Sequence, residues 1–302
     1  MAAGERVTYR AVLRNREFAA ILVSQALSIF GDQVARIALA VLVFERTGSA
    51  LAASATYGVA FISYMVAGPM LSTLADRYPR RTIMVAADVG RAVVVAVLAI
   101  GGLPLPAVFA LITLQGVLAP AFDSARSASL PQILLGDAYV KGSALYNIAF
   151  QGTQVVGFLA GGALLTSFSV SRVLAFDAGT YLISAGAILG VLLARPSATE
   201  PASSRGIVHD TVAGVRVVWY DSRLRRLLAF SLLGAAVVAA PEGLAIPVAS
   251  ELGGASLAAG ILTASIPAGF VVGTLLVLSV PSHRRVRLLP VLTALSAVPL
   301  VA

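Results

Sequence analysis

Cysteine is absent from the 302 residues, and histidine occurs only at His209 and His283. The first absence excludes a disulfide scaffold, a thiolate metal site and a cysteine nucleophile. The second leaves two imidazoles too far apart for a local metal motif. Charge is scarce too: Asp, Glu, Lys and Arg make up 12% of the chain, about half the share of a soluble domain. Hydrophobic residues make up 58%, and the mean hydropathy is +0.91. Those figures exclude a water-soluble globule, and they exclude disorder, which needs charge and few apolar residues. They leave an all-α polytopic membrane protein.

The net charge of +8 does not point to nucleic acid. The basic residues lie in short gaps between apolar runs, the pattern that sets membrane topology. No in-span histidine pair, metal-ligand spacing or nucleophile beside a base is present, so no enzyme, metal or cofactor is expected. No G-x-x-x-x-G-K-[ST] loop is present, which argues against an ATP-driven pump.

A spanning helix needs about 20 mostly apolar residues. Runs of that kind fall near 18–44, 51–74, 82–101, 105–126, 144–166, 172–194, 227–250 and 256–280, and a ninth begins at 288. The first follows Arg6, Arg10, Arg14 and Arg16. It is too long for a signal peptide and no small-residue cleavage site follows it. Arg and Lys gather on the N-terminal side of the alternating spans, with only Arg46 and Arg172 opposite. By the positive-inside rule the N-terminus is expected in the cytoplasm. Arg supplies nearly all the basic residues, as a GC-rich bacterial genome would give, so the expected location is multi-pass in a bacterial plasma membrane. The long polar gap starts with the Pro/Ser-rich RPSATEPASSRG. Beyond it Val208, Val212, Val215 and Trp219 fall at helical spacing, as in an amphipathic surface helix. The expected organisation is a six-helix bundle (1–194), a cytoplasmic linker with that helix (195–226) and an incomplete second bundle (227–302) holding helices 7, 8 and part of 9.

Residues 68–84 read GPMLSTLADRYPRRTIM. This resembles the signature between helices 2 and 3 of the major facilitator superfamily, G-x-L-a-D-R-x-G-R-[RK]. Leu74, Asp76, Arg77, Arg80 and Arg81 match, while Ser72 and Pro79 stand where glycines are usual. The opening LRNREFAAILVSQALSIFGDQVARIALAVLVFERTGS and FDSARSASLPQILLGDAYVKGSALYN at 122–147 are similar to the proton-coupled exporter branch that includes macrolide-efflux proteins and the enterobactin exporter. Gly68 and Arg80 recur at one spacing as Gly273 and Arg285, as two related halves require. The resemblance implies a major-facilitator-type helical bundle, here truncated after about eight and a half of twelve spans.

Asp32 and Arg36 lie inside the first apolar run, where a charge costs ~2.5–3.5 kcal/mol even on a lenient scale. Their i,i+4 spacing lets them pair on one face. Either the face lines a cavity, where Asp32 takes up a proton or a cationic substrate, or the two are a permanent structural couple. Glu242, between Pro241 and Gly243, is a second proton or substrate candidate. Its neighbours suggest a broken or kinked helix. Asp76, Arg77, Arg80, Arg81, Asp123 and Arg126 form a cytoplasmic charge set; the resemblance implies a gating latch, and plain topology determinants are the alternative. Gly157, Gly161 and Gly162 in GTQVVGFLAGGALL resemble an antiporter signature, with Phe158 in place of its proline. As small residues they also suit close helix packing. The arginine of a helix-4 R-x-x-Q-G pattern is missing: Gln115 and Gly116 match, but Ile112 holds its position. Asp177 is read as structural.

Together these features point to a secondary active transporter. The expected activity is proton-coupled efflux of small amphipathic molecules such as drugs or siderophore-like metabolites. The partners are then the bilayer, a small-molecule substrate and the proton. The alternative is a truncated, non-transporting remnant, or a part completed by another subunit.

Overall fold

The computed structural model describes residues 8–195, 207–251 and 255–279, and every regular element among them is a helix. A short α1 (Tyr9–Leu13) leads into α2 (Arg16–Thr47) and α3 (Ala50–Arg77). There follow α4 (Arg80–Ile100), α5 (Leu105–Ile133), α6 (Asp137–Leu164) and α7 (Val170–Val191). The last three are α8 (Ile207–Tyr220), α9 (Ser222–Glu251) and α10 (Ala255–Ser279). The ninth run from 288, Arg284, Arg285, Arg287 and most of the Pro/Ser-rich gap lie outside the described residues.

Local chemistry sets the boundaries. Asn15 caps α2 by accepting from the Phe18 amide at 3.1 Å, and Ser49 caps α3 from the Ala52 amide at 3.2 Å. These side chains satisfy amide donors that a helix start leaves free. Gly48, at φ 62°, takes the left-handed conformation that ends α2. Pro79 and Pro104 precede α4 and α5, where the missing N–H costs nothing.

Helix α2 lies at the centre of the bundle. It packs on α6 and α7, while α4 packs on α7 and α5, α3 on α5 and α9, and α10 on α6 and α9. One apolar cluster joins α2, α4, α5 and α7 through Val34, Val95, Ile112 and Leu174. Another joins α2, α3, α6, α9 and α10 through Ile37, Tyr57, Phe158, Ile246 and Ala259. The outer face is also apolar: Val93 is 57% exposed and Ile183 63%, yet Arg91 and Ser184 nearby are buried. An apolar exterior around a polar interior is stable when the surrounding solvent is lipid.

Among the described residues, six helical segments are long and apolar enough to cross a membrane: Arg16–Thr47, Ala50–Leu74, Arg80–Ile100, Leu105–Ile133, Val170–Val191 and Ser256–Gly273.

 The segments expected at 144–166 and 227–250 form as α6 and α9 but are not among those six. In α6 the polar Asn147, Gln151 and Gln154 reduce the apolar content. In α9 the side chains of 232–241 lie outside the described residues. Of the broken or kinked helix expected at Pro241–Gly243, the break is corrected: α9 runs as one helix from Ser222 to Glu251. Of the expected amphipathic helix, α8, the side chains of Val212, Val215 and Trp219 are exposed.

The glycines of α6 hold two interfaces. A Cβ on Gly157 would stand 2.9 Å from Gln33 Cβ, and one on Gly161 would stand 3.0 Å from Val34 Cα, both on α2. A Cβ on Gly162 would stand 2.6 Å from the Ser256 carbonyl oxygen of α10, and one on Gly260 of α10 would stand 2.6 Å from the Phe158 carbonyl oxygen. The last two obstructions are backbone atoms, so only a shift of a whole helix relieves them. Gly162→Val is therefore expected to destabilise the α6–α10 contact by about 1–3 kcal/mol, as overpacking does. Thermal unfolding in detergent checks this; an unchanged melting temperature would show that the helices do not meet there.

Candidate functional site

Asp32 stands at the midpoint of α2, next to Gly31. A Cβ on Gly31 would collide with the Asp177 carboxylate and the Thr180 hydroxyl of α7. The bare glycine thus lets α7 approach α2 and brings Tyr181 to Asp32. The Tyr181 hydroxyl donates to Asp32 Oδ1 and accepts from Arg91 Nη2 at 2.6 Å and Gln115 Nε2 at 2.6 Å. Arg91 Nη2 also meets Asp32 Oδ2 at 2.8 Å, a charge-assisted length. Four helices (α2, α4, α5 and α7) thus converge on one phenol and one guanidinium. The Arg91 guanidinium carbon lies 4.2 Å from the centre of the Tyr181 ring, within cation–π range.

More carboxylates surround this arginine. Asp88, one turn before it on α4, accepts from the Ser184 hydroxyl at 2.5 Å and places Oδ1 3.6 Å from Arg91 Nη1. Asp88 and Asp177 are fully buried. Among the described residues, Asp88 Oδ1 and Asp177 Oδ2 have no hydrogen-bond partner. Asp32 is the most open of the three, its side chain retaining 22% exposure.

The expected Asp32–Arg36 pairing is corrected by this geometry. Asp32 turns to Arg91 and Tyr181, whereas Arg36 reaches Glu242 of α9 at 4.0 Å. Four helical residues advance about 40° beyond a full turn, enough to aim the two side chains at different neighbours. The two separate candidates Arg36 and Glu242 therefore form one α2–α9 pair. Beside it, Ser54 of α3 donates to the Gly243 carbonyl at 2.6 Å.

Arg91, Asp88 and Tyr181 are the residues that sequence reasoning missed. In the sequence Arg91 counts only among the basic residues gathered on the N-terminal side of the spans. The signal that singled out Asp32 was available for it: Asp88 and Arg91 are charges at i,i+3 inside an apolar run. Ile112 is buried in the core, while Gln115 of α5 and Arg91 of α4 both donate to the Tyr181 hydroxyl.

A second charge set lies towards the end of the bundle where α2 begins. Arg80 donates to the Ala128 carbonyl of α5 at 2.6 Å, and Arg81 donates to the Leu189 carbonyl of α7. Arg126 lies 3.8 Å from Asp123 and stacks over the Tyr146 ring at 4.0 Å. Tyr64 donates to Asp123 Oδ2 at 3.0 Å. A cavity of about 640 Å³ opens among Tyr64, Asp123, Arg126, Tyr146, Asn147 and Phe150. Arg77 lies in the last turn of α3, and the side chain of Asp76 lies outside the described residues. At the same end Arg195 grips Glu17 through contacts of 2.6 and 2.9 Å, tying the end of α7 to the start of α2.

Comparison with known proteins agrees with this architecture. The model of the Major Facilitator Superfamily matches residues 21–302. The Lysophospholipid transporter LplT of Cronobacter sakazakii is 27% identical over 225 residues, which is 74% of this chain and 54% of that protein. The protein of the same name from Pectobacterium carotovorum is 25% identical over 300 residues, 90% of this chain and 72% of its own length. Macrolide efflux protein A of Streptococcus pyogenes is 27% identical over 166 residues, 53% of this chain and 41% of that protein. The chain thus spans about half the length of several curated relatives that it matches.

Removing the shared cation should cost far more than removing the peripheral one. Arg91→Gln leaves buried carboxylates uncompensated and is expected to destabilise the protein by about 3–5 kcal/mol. Arg36→Gln, at a side chain 47% exposed, should cost under about 1 kcal/mol. Denaturant titration of both variants in detergent ranks them; equal losses would remove Arg91 from the centre of the cluster.

Proposed function

We propose, for a chain that belongs to the Major Facilitator Superfamily, the function of a secondary active transporter that exports small amphipathic molecules in exchange for protons. The observation that carries this reading is Asp32, a partly open carboxylate at the midpoint of a spanning helix, held by Arg91 and Tyr181 from two other helices. A carboxylate at that depth is costly, and such residues mark ion and substrate pathways. A proton or a cationic cargo would compete with Arg91 for Asp32, so each could displace the other in turn. Glu242 and Arg36 make a second exchangeable pair between α2 and α9. The relatives named for a lysophospholipid and for a macrolide support an amphipathic cargo, since both compound classes combine apolar and polar parts.

In this reading residues 1–194 form the first bundle, 195–226 the linker carrying α8, and 227–302 part of a second bundle. The arginine-rich end faces the cytoplasm of a bacterial cell. There Arg80 and Arg81 clasp the ends of α5 and α7, and Asp123 and Arg126 line the cavity. The reading assigns them, with Asp76 and Arg77, to gating. Gly157, Gly161 and Gly162 serve helix packing, since each would meet a neighbouring helix if it carried a Cβ.

Asp32→Asn keeps the shape of the side chain but cannot ionise. It is expected to abolish efflux driven by a pH gradient in everted membrane vesicles while protein levels stay unchanged. Undiminished pH-driven efflux in that variant would remove Asp32 from the mechanism.

A further inference from the structure

The transport reading uses Asp32 and leaves Asp88 without a role. Yet Asp88 is fully buried, and its Oδ1 has no hydrogen-bond partner among the described residues and faces Arg91 Nη1 at 3.6 Å. The same guanidinium is bound to Asp32 Oδ2 at 2.8 Å through its other terminal nitrogen. One cation therefore stands between two carboxylates, closed on the first and open to the second. We propose that Asp88 is a second proton site, and that Arg91 and one proton exchange places between Asp32 and Asp88.

In the arrangement seen, Arg91 pairs with ionised Asp32 and the proton resides on Asp88. In the alternative, Arg91 pairs with ionised Asp88 and the proton resides on Asp32. One O–H bond breaks at Asp88 and one forms at Asp32, so the two aspartates and Arg91 keep a total charge of zero in both states. That balance matters because an unpaired charge in a dry interior is expensive, whereas moving a pair within it is not. Closing Arg91 Nη1 onto Asp88 needs a shift of under about 1 Å to reach charge-assisted length. The groups facing this exchange are Asp32 on α2, Asp123 on α5, and Asp177, Tyr181 and Ser184 on α7. The Ser184 hydroxyl holds Asp88 in place at 2.5 Å, and the Tyr181 hydroxyl stays on Asp32 and Arg91. Asp32, the more open carboxylate, exchanges protons with the outside, and Asp88 stores them. The inference rests on the reading of Asp32 as a proton site.

Infrared spectroscopy tests the exchange on the full chain in lipid without cargo, because a protonated carboxyl has a C=O stretch that the carboxylate lacks. Asp88→Asn in the otherwise native protein should remove one such band. In an Asp32→Asn background Arg91 is free to close on Asp88, and the further Asp88→Asn change should then remove none. An Asp88 band that persists in the Asp32→Asn protein, or is absent from the native one, overturns the proposal. Melting temperatures give a second readout. Each single variant leaves Arg91 one carboxylate, so the double variant should lose more than the sum of the single losses; additive losses contradict the exchange. Neither measurement involves transport. A failed efflux reading and a failed exchange are therefore distinguishable: unaltered efflux in Asp32→Asn sinks the first, and an unaltered Asp88 band sinks the second.

Discussion

The contact between Arg91 and Asp32, sealed by the Tyr181 hydroxyl, is the constraint on which the N-terminal part of the bundle depends. A buried charge pair is not a dependable source of stability, because desolvation offsets most of the attraction. Its effect is on arrangement. Once α2 carries Asp32 and α4 carries Arg91, the two helices must present these groups to each other or leave each charge uncompensated. Gly31 then sets the distance to α7, since a side chain there would meet Asp177 and Thr180. The apolar cluster of Val34, Val95, Ile112 and Leu174 packs the same helices together. The charged groups specify the register of those helices, and the apolar groups supply the packing.

The molecule is layered in the reverse order of a soluble protein. Apolar side chains such as Val93 and Ile183 cover the exterior, while Asp88, Arg91, Asp177 and Ser184 are buried. Lipid outside offers no hydrogen bonds, so polar groups in the spans must find one another. Where they exceed their partners among the described residues, as at Asp88 Oδ1 and Asp177 Oδ2, the interior holds unused acceptors near Arg91. That surplus of acceptors is what the proposed proton exchange rests on.

Much of the fold was legible because membrane spans announce themselves by length and apolarity. The runs at 18–44, 82–101 and 172–194 correspond to α2, α4 and α7 within a few residues. The α5 helix continues past its expected end to Ile133, because the Ser and Arg residues that end the apolar run do not stop a helix. The site was only half legible. Asp32, Arg36 and Glu242 stood out as charges in apolar sequence, but which charge meets which depends on helix rotation, and one chain's spacing does not encode that. Local pairing at i,i+4 was the only partner rule available. It failed because Arg91, remote in sequence, offers Asp32 a closer and more deeply buried contact than Arg36. The glycine positions were visible, but not the helix each would touch.

The account stands on Asp32 being coupled to Arg91 and not to Arg36. Two double-mutant cycles on unfolding free energy in detergent measure this directly: Asp32→Asn with Arg91→Gln, and Asp32→Asn with Arg36→Gln. The expected result is a clear interaction energy in the first cycle, on the order of 1 kcal/mol or more, and additivity in the second. Additivity in the first cycle together with coupling in the second would contradict the account, because it would return Asp32 to its neighbour on the same helix.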